Sequence, residues 1–400
     1  MENNNNNNQA LYSHMLYYDP PGFPYREKDS GPNAIDPSAG TELKLPIVGP
    51  IFGPYKPMPC IEIDKEGNVL IRYYAPDAKR VQIGGTGGSM TKLYDMEKGK
   101  EGIWTVLLHD IPPGIHCHMY LVDGVLTLNP AAPLCISNHY AMNYFDIPYP
   151  DQDFYLLKDV PHGTLHMEQM KSDITGRWRN IWVYTPPGYD AHREKRYPVM
   201  YIQHGGGENE TSWFWKGKLH YISDNLLAEG ACEEMLLVCA CGYATEDLKN
   251  GLFEDTLYER VLIEEIVPFI DSRYRTVRSP ENRAIAGLSM GGGQAKQIAF
   301  SHTDVFANLG QFSSASGFVV EGGVPDYSEL FSSPEYFASR MRVTFVTCGT
   351  HDPRLKYTSE QVKQYVDRGF NIEFAVYSGY HEWNVWRFSA RDFMKRLFRK

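Results

Sequence analysis

Short runs in which apolar and polar residues alternate fill the segment from Ile61 to Leu128. The runs are IEID, NVLIRYYAP, RVQIGG, IWTVLLH, IHCHMYLVDG and VLTL, and turn residues separate them. A period of two residues places one face of each strand in a core and the other in solvent. The pattern predicts a small antiparallel β-sandwich.

Continuous apolar runs and helical patterns replace this alternation further along the chain. The buried strands are predicted at NIWVYTPPGYD, YPVMYIQHGGG, MLLVCACGY, RAIAGLS, VTFVTCGT and IEFAVYSG. The clearest helical face between them consists of Leu257, Val261, Leu262, Ile266, Phe269 and Ile270. Strands that alternate with helices indicate an α/β fold with a mostly parallel sheet covered on both faces. In such sheets the functional loops follow the carboxyl ends of the strands.

Composition sets the predicted domain boundaries. Residues 1–45 are rich in Asn, Pro, Gly and Tyr without periodicity, which favours a flexible N-terminal arm. The β-sandwich module is expected at residues 46–140 and a linker rich in Pro, Tyr and Asp at residues 141–160. The α/β domain is expected to occupy residues 161–400.

The overall composition is that of a globular protein, with 42% hydrophobic and 22% charged residues. A formal net charge of -10 opposes binding to a phosphate backbone, and no apolar run reaches the roughly 18 residues of a membrane span. Neither nucleic acid nor a membrane is therefore expected as a partner. The seven cysteines are odd in number and lack zinc-ligand spacing, so we expect buried thiols and no metal.

A serine flanked by glycines lies between a predicted strand and a predicted helix. The segment Gly287-Leu288-Ser289-Met290-Gly291 follows the apolar run RAIA and precedes GGQAKQIAF. G-x-S-x-G in this context is the nucleophile elbow, in which the serine occupies a strained turn and its hydroxyl projects outward. Ser289 is the predicted nucleophile.

A serine hydroxyl needs a histidine base and a carboxylate that orients this base. His381 follows the last predicted strand, and Asp352 follows the run VTFVTCG. The order Ser289, Asp352, His381 is that of α/β-hydrolases. His351 is the rival base, but it precedes the acid and would reverse this order. Taken alone, an aspartate before Pro353 is also typical of a turn or a helix cap.

Acyl transfer also needs hydrogen-bond donors for the developing oxyanion. The glycine run at residues 205–207 follows the strand YPVMYIQH, where HGGG-type loops offer a backbone N–H beside that of the residue after the nucleophile. We therefore predict an oxyanion hole formed by the N–H groups of Gly206 and Met290, with Gly207 as the reserve donor. A purely conformational need for glycine in a sharp turn is the alternative.

Seven segments of the chain resemble, in order, the markers of the esterase-D-like esterases. They are VYTPPGYD, YPVMYIQHGGGENETSW, YRT, AIAGLSMGGG, FSSASG, CGTHD and GYHEWNVWR. The resemblance covers about residues 156 to 400 and points in particular to the family-1 carbohydrate esterases, which include feruloyl and acetylxylan esterases. It implies an α/β-hydrolase fold and a triad at Ser289, Asp352 and His381. Siderophore esterases and mycolyl transferases share this fold, so the family alone does not choose a substrate.

The predicted β-sandwich resembles an early-set, immunoglobulin-like module, similar to family-48 carbohydrate-binding modules, that precedes glycogen-branching enzymes and some bacterial feruloyl esterases. The resemblance lies in YYAPDAKRVQI, GIWTVLLHDIPPG and YLVDGVLTLNP. Asn129 departs from the aspartate that relatives often carry before the proline. Trp104 lies in an alternating strand, which favours a core position over an exposed sugar-binding platform.

Aromatic residues near both ends of the triad indicate the substrate. Trp213 follows the glycine run at residues 205–207, here called the oxyanion loop, and Trp383 follows His381. Together with Gly207, these two residues are expected to contact an aromatic acyl group or a sugar ring. Core packing is the alternative for each indole. We predict a serine esterase that releases ferulic or related hydroxycinnamic acids from feruloylated arabinoxylan or xylo-oligosaccharides, with no cofactor.

Three alternative functions stay open: an acetylxylan or other short-acyl esterase, a siderophore esterase, and an inactive carbohydrate-binding protein. The inactive protein is disfavoured because the sequence contains every member of the triad. A cell-wall substrate implies export, although the start MENNNNNNQA has neither the basic nor the apolar region of a secretory leader. We predict an extracellular or periplasmic location with the signal peptide absent from this chain, and a cytoplasmic location is the alternative.

Overall fold

The computed structural model describes residues 23–25, 56–58, 60–85, 92–130, 132–244, 256–314 and 326–399. Most of the predicted N-terminal arm lies outside the described residues. Within the arm, strand β1 (Phe23–Tyr25) pairs antiparallel with β2 (Lys56–Met58). The fold divides into two compact units, of which the first runs to Leu134 and also includes Met142–Ile147.

Besides the pair β1-β2, two larger sheets build the first unit. Their strands are β3 (Ile61–Ile63), β4 (Val69–Tyr74), β5 (Val81–Gly85), β6 (Leu93–Asp95), β7 (Glu97–Lys98), β8 (Ile103–Leu108), β9 (Gly114–Val122), β10 (Val125–Thr127), β11 (Leu134–Ser137) and β12 (Tyr140–Ile147). One sheet has the order β3-β4-β8-β7, and the other has the order β11-β12-β9-β5-β6 with β10 paired to β9. A short 3₁₀ helix, Lys100–Gly102, precedes β8.

The two sheets share one hydrophobic core. Ile71 and Trp104 enter it from the first sheet, and Val81, Tyr120 and Phe145 enter it from the second. Trp104 is 5% exposed, so the core position predicted from its alternating strand is confirmed. Two antiparallel sheets packed on a common core are the β-sandwich that the alternating pattern predicts.

Part of the segment expected to be a linker is a strand. Residues 141–147 belong to β12, and every residue from Met142 to Ile147 is buried. A strand that is covered on both faces lacks the alternation of apolar and polar residues that reveals a half-exposed strand. The Pro, Tyr and Asp content of this segment therefore predicted a linker where the chain forms a strand. Cys135–Ala141, which includes most of β11, the turn after it and the first two residues of β12, belongs to the second compact unit.

The second unit contains Cys135–Ala141 and the chain from Pro148 onward. Its strands are β13 (Thr164–Lys171), β14 (Trp178–Thr185), β15 (Val199–Gln203), β16 (Leu236–Ala240), β17 (Arg283–Leu288), β18 (Asn308–Phe312), β19 (Val343–Gly349) and β20 (Glu373–Tyr377). Its helices are α1 (Ser212–Trp215), α2 (Leu219–Ala228), α3 (Thr256–Arg260), a π-helical segment (Val261–Ile266), α4 (Val267–Arg273), a 3₁₀ turn (Pro280–Asn282), α5 (Met290–Ser301), α6 (Pro334–Arg340), α7 (Leu355–Val366) and α8 (Trp383–Met394).

The eight strands of this unit form one sheet in the order β13-β14-β16-β15-β17-β18-β19-β20. Strand β14 is antiparallel to both of its neighbours, whereas the pairs from β16 to β20 are parallel. This topology confirms the predicted α/β-hydrolase fold. Strands β15, β16, β17 and β18 are buried along their whole length, because helices cover both faces of the sheet. None of the helices in the described parts of the chain has the length and apolarity to cross a membrane.

Candidate active site

Ser289 occupies the sharp turn between β17 and α5. Its backbone has φ 51° and ψ -116°, a positive φ that is strained for a residue with a side chain. The Ser289 N–H donates to the carbonyl of Phe312 on the neighbouring strand at 2.9 Å, which holds the turn against the sheet. The serine therefore lies at the carboxyl end of a central strand, as the elbow motif predicts.

The glycines of the elbow are required by the closeness of the surrounding backbone. A Cβ atom at Gly287 would lie 2.2 Å from the carbonyl oxygen of Gly291. A Cβ atom at Gly291 would lie 2.4 Å from the carbonyl oxygen of His204. Any side chain at these positions would push the strand, the helix and the oxyanion loop apart, so the spacing of G-x-S-x-G follows from packing.

His381 lies in the loop between β20 and α8 and contacts the serine directly. Its Nε2 atom is 2.9 Å from Ser289 Oγ. The imidazole and the indole of Trp386 pack edge to face, with 5.1 Å between the ring centroids. The side chain is 27% exposed, so the ring is held in place by packing and still open to a substrate on one side.

Asp352 follows β19 and orients this histidine. Its Oδ2 atom is 2.7 Å from His381 Nδ1, and its Oδ1 atom accepts from the Arg354 N–H at 3.0 Å. Burial of the carboxyl opposes its ionisation, but the hydrogen bonds from His381 and from the Arg354 backbone outweigh this, and the pKa of Asp352 lies below its ordinary value. An ionised carboxylate only accepts, so Nδ1 carries a proton and Nε2 is free to accept from the Ser289 hydroxyl.

The rival base His351 and a second histidine near the elbow, His204, have different partners. His351 Nδ1 lies 3.0 Å from Thr350 Oγ1, and its ring stacks on Tyr380. His204 is buried: its Nδ1 donates to the Gly205 carbonyl, and its Nε2 accepts from the Gly242 N–H. Burial lowers the pKa of His204, which agrees with a neutral ring that stabilises the turn.

The three glycines of the oxyanion loop differ in what their N–H groups do. The Gly205 N–H donates to Glu208 Oε2 at 3.1 Å, and the Gly207 N–H donates to the Tyr243 hydroxyl at 2.7 Å. In the described part of the chain, the Gly206 N–H has no acceptor, nor does that of Met290, the first residue of α5. The reserve role given to Gly207 is therefore wrong, because its donor is already in use.

A β-turn covers the oxyanion loop. Asn138 and His139 both have positive φ, 50° and 67°, as in the turns that close tight β-hairpins. The His139 N–H donates to the Gly207 carbonyl at 2.9 Å, and a Cβ atom at Gly207 would lie 2.7 Å from Asn138 Cα. With φ 75°, Gly207 is therefore fixed both by its own backbone conformation and by the turn against it.

The two indoles expected to contact the substrate lie in the interior. Trp213 is 0% exposed and donates from Nε1 to the Gln203 carbonyl at 2.8 Å. Trp383 is 4% exposed and donates from Nε1 to Glu208 Oε1 at 2.8 Å. Their rings pack edge to face, 5.0 Å apart. Neither offers a face for stacking, so the prediction of substrate contact is wrong for both and the core alternative holds.

Sequence reasoning missed Glu208, Tyr243 and the turn at Asn138 and His139. Asn138 and His139 form a dipeptide that tolerates positive φ and lies between two runs of alternating residues, and such a dipeptide is a usable sequence signal for a hairpin. The bond of Tyr243 to Gly207 joins residues far apart in sequence and gives no local signal. In the parts of the chain that the structure describes, no cluster of three or more His, Cys, Asp or Glu side chains is suited to hold a metal ion.

Comparisons with known proteins identify relatives of this chain. An endo-1,4-β-xylanase/feruloyl esterase from Xylanibacter ruminicola is 34% identical over 350 residues, 84% of this chain. The chain spans 46% of the length of that relative. A solved ferulic acid esterase from Anaeromyces mucronatus, in complex with ferulic acid, is 25% identical with a TM-score of 0.51, and the match covers 62% of this chain and 96% of the other.

A second solved structure resembles this chain in fold alone. The enterobactin esterase of Shigella flexneri, in the presence of enterobactin, matches with a TM-score of 0.60 at 14% identity, over 82% of this chain and 92% of the other.

The sequence profile of the esterase family, described as "Putative esterase", matches residues 172–395, a span that contains the elbow serine, the aspartate and the histidine. The chain belongs to this esterase family.

Proposed function

We propose that this chain is a serine esterase that hydrolyses carboxylic esters through an acyl-enzyme. The observation that carries the proposal is the continuous hydrogen-bonded path from Asp352 Oδ2 through His381 to Ser289 Oγ, with contacts of 2.7 and 2.9 Å. Nucleophile, base and orienting carboxylate within hydrogen-bond reach are the geometric signature of acyl transfer. Membership of the esterase family supports it.

In the first half of the reaction, Ser289 Oγ attacks the ester carbonyl carbon while His381 Nε2 takes the hydroxyl proton. The carbonyl oxygen becomes an oxyanion, to which the N–H groups of Gly206 and Met290 donate. Asp352 stabilises the imidazolium that forms. The imidazolium then gives its proton to the leaving alcohol oxygen, the C–O bond breaks, and the acyl group remains on Ser289.

In the second half, water replaces the alcohol. His381 Nε2 takes a proton from the water, whose oxygen attacks the acyl carbon, and the oxyanion again forms beside the same two N–H groups. The second tetrahedral intermediate collapses as Ser289 Oγ regains the proton from the imidazolium. The net reaction consumes one ester and one water and releases one acid and one alcohol.

For the substrate, we propose a hydroxycinnamate ester carried on arabinoxylan or on a xylo-oligosaccharide. Two comparisons support this class: the relative named as a xylanase/feruloyl esterase and the solved esterase with ferulic acid bound. The aromatic stacking predicted from Trp213 and Trp383 gives it no support, because both rings are buried. Specificity for the acyl group is therefore the part of the proposal that most needs direct measurement.

A substrate panel tests this proposal. We expect kcat/KM for methyl ferulate or methyl p-coumarate to exceed that for an acetylated xylo-oligosaccharide by about 10²-fold or more, because an acyl pocket that binds a large planar group gains little from acetate. Ser289→Ala, assayed in parallel, corrects for background hydrolysis. A preference for the acetyl ester would favour a short-acyl esterase, and a preference for a cyclic catecholate ester would favour a siderophore esterase.

A polymer of the plant cell wall lies outside the cell that degrades it, so we extend the proposal to an exported enzyme. Immunodetection in fractions of the source organism is expected to find the protein outside the cytoplasmic membrane. Detection in the cytoplasm alone would contradict export without affecting the proposed chemistry.

Gly207→Ala is expected to lower kcat about 10²-fold, because displacement of the oxyanion loop by the new methyl group moves the neighbouring donor at Gly206. The added Cβ would meet Asn138 Cα at 2.7 Å, on a backbone with φ 75°. Steady-state kinetics on methyl ferulate and the melting temperature, Tm, check this expectation.

The matched control is Gly176→Ala, since Gly176 has a similar φ of 69° but nothing within 4 Å of the added atom. This variant is expected to lower Tm through backbone strain alone and to keep the wild-type kcat. If both alanine variants keep the wild-type kcat, the turn at Asn138 and His139 does not position the oxyanion loop.

A further inference from the structure

A buried carboxylate lies directly behind the oxyanion loop. The side chain of Glu208, the residue after the three glycines, is 6% exposed. Its Oε2 atom accepts from the Gly205 N–H at 3.1 Å, so the carboxylate is bonded to the backbone that immediately precedes the proposed donor at Gly206. It forms no part of the path from Asp352 to Ser289.

Lys216 supplies the opposite charge for this carboxylate. The Lys216 side chain is 1% exposed, and its Nζ donates to Glu208 Oε1. The same ammonium group donates to the Ile136 carbonyl at 2.7 Å. Burying a charge is costly unless it is paired and hydrogen bonded, so this pair holds the Glu208 carboxylate in one orientation.

The carboxylate also bonds to the helix that follows the catalytic histidine. Trp383 is the first residue of α8, two residues after His381, and its Nε1 donates to Glu208 Oε1 at 2.8 Å. A second connection joins α8 to the residue that follows α1, because Arg387 of α8 donates to the Lys216 carbonyl from Nε at 2.9 Å and from Nη2 at 2.6 Å. One side chain therefore joins the oxyanion loop to the start of α8.

We propose that Glu208 is a positioning residue for this reaction: it fixes the oxyanion donor of Gly206 relative to the imidazole of His381. This inference rests on the proposed esterase function. Attack on the carbonyl needs the base and the oxyanion donors at set distances from one carbon atom, and a shift of about 1 Å in either costs about 10²-fold in rate. Glu208 supplies this constraint from the interior and does not touch the substrate.

The variant Glu208→Gln tests the proposal because it keeps the shape of the side chain. A glutamine has one acceptor oxygen, so it cannot serve the Gly205 N–H, the Trp383 N–H and the Lys216 ammonium together. We expect kcat on methyl ferulate to fall about 10²-fold while KM stays within about threefold, because the loss falls on the transition state. The midpoint of the pH-rate profile should not move, since Asp352 and His381 keep their contact.

Two further variants separate positioning from general destabilisation. Glu208→Gln combined with Lys216→Met also removes the buried ammonium that has lost its carboxylate partner, and we expect this double variant to recover much of the lost Tm but not kcat. Trp383→Phe keeps an aromatic ring in the core and removes the Nε1 donor to Glu208. We expect about a 10-fold fall in kcat for this variant, again with KM nearly unchanged.

The outcomes distinguish this proposal from the proposed function. If folded Glu208→Gln keeps kcat within about twofold of the wild type, or if the double variant recovers kcat together with Tm, Glu208 is not a positioning residue. If Glu208→Gln does not fold, Trp383→Phe decides, and an unchanged kcat rejects the proposal. If the wild-type chain hydrolyses none of the esters tested, the proposed function fails first.

Discussion

Replacement of Ser289 by alanine is expected to lower kcat for methyl ferulate by about 10⁶-fold, the loss found when the nucleophile of a serine hydrolase is removed. The variant loses the only atom that can form the acyl-enzyme in the proposed mechanism. The backbone strain at φ 51° is the same for alanine, and only the hydrogen bond to His381 is lost, so Tm should stay close to that of the wild type. Ferulate release measured by absorbance, with Tm on the same samples, checks both expectations.

Ser313→Ala is the matched control for this variant. Ser313 is also a serine at positive φ, 47°, and it follows β18, the neighbour of the elbow strand. We expect this variant to keep kcat within a few-fold of the wild type. If Ser289→Ala also keeps a substantial rate, the nucleophile lies elsewhere.

Asp352→Asn is expected to lower kcat by about 10⁴-fold with little change in KM. An asparagine amide can donate to His381 Nδ1, which favours the tautomer with its proton on Nε2, and that nitrogen cannot then accept from Ser289. Asparagine also lacks the negative charge that stabilises the imidazolium. Steady-state kinetics with methyl ferulate separate the two parameters, because binding of the ester does not depend on the tautomer.

Asp392→Asn serves as the control for loss of a partly buried carboxylate. Burial opposes ionisation of Asp392, but hydrogen bonds from Arg391 and Tyr377 hold its pKa below the ordinary value. The pKa of Asp352 is lowered in the same way, by hydrogen bonds from His381 and from the Arg354 backbone. We expect Asp392→Asn to lower Tm and to keep kcat. A rate for Asp352→Asn within about tenfold of the wild type would assign the orienting acid to another residue.

The residues of the proposed triad could be found from sequence because each lies in a local pattern. A serine between glycines, after an apolar strand and before a helix, predicts its own backbone turn. Asp352 and His381 follow two further apolar strands, and parallel strands bring their carboxyl ends to one edge of the sheet. The structure places Ser289, Asp352 and His381 in hydrogen-bond contact at that edge.

The surroundings of the site could not be found in this way because they depend on contacts between distant segments. Proximity in sequence to His381 suggested an exposed Trp383, but the direction of the indole is set by Glu208, 175 residues earlier. From the sequence alone, Glu208 and Lys216 would be placed at the surface, as most charged residues are, and only the fold shows that they form a buried ion pair. Only the fold shows that the Tyr243 hydroxyl accepts from the Gly207 N–H, whereas the Gly206 N–H has no acceptor among the residues that the structure describes.

In the proposed mechanism, Ser289 is activated by His381 and carries the acyl group during turnover. Reaction with an aryl phosphonate ester, followed by mass spectrometry of the digested protein, tests it most directly, because such a reagent forms a stable bond to an activated serine oxygen. We predict one phosphonyl group per chain, on the peptide that contains Ser289, with loss of esterase activity in proportion to labelling and no labelling of Ser289→Ala. Full loss of activity with the label on a different residue, or a fully labelled Ser289 in an enzyme that stays active, would contradict the account.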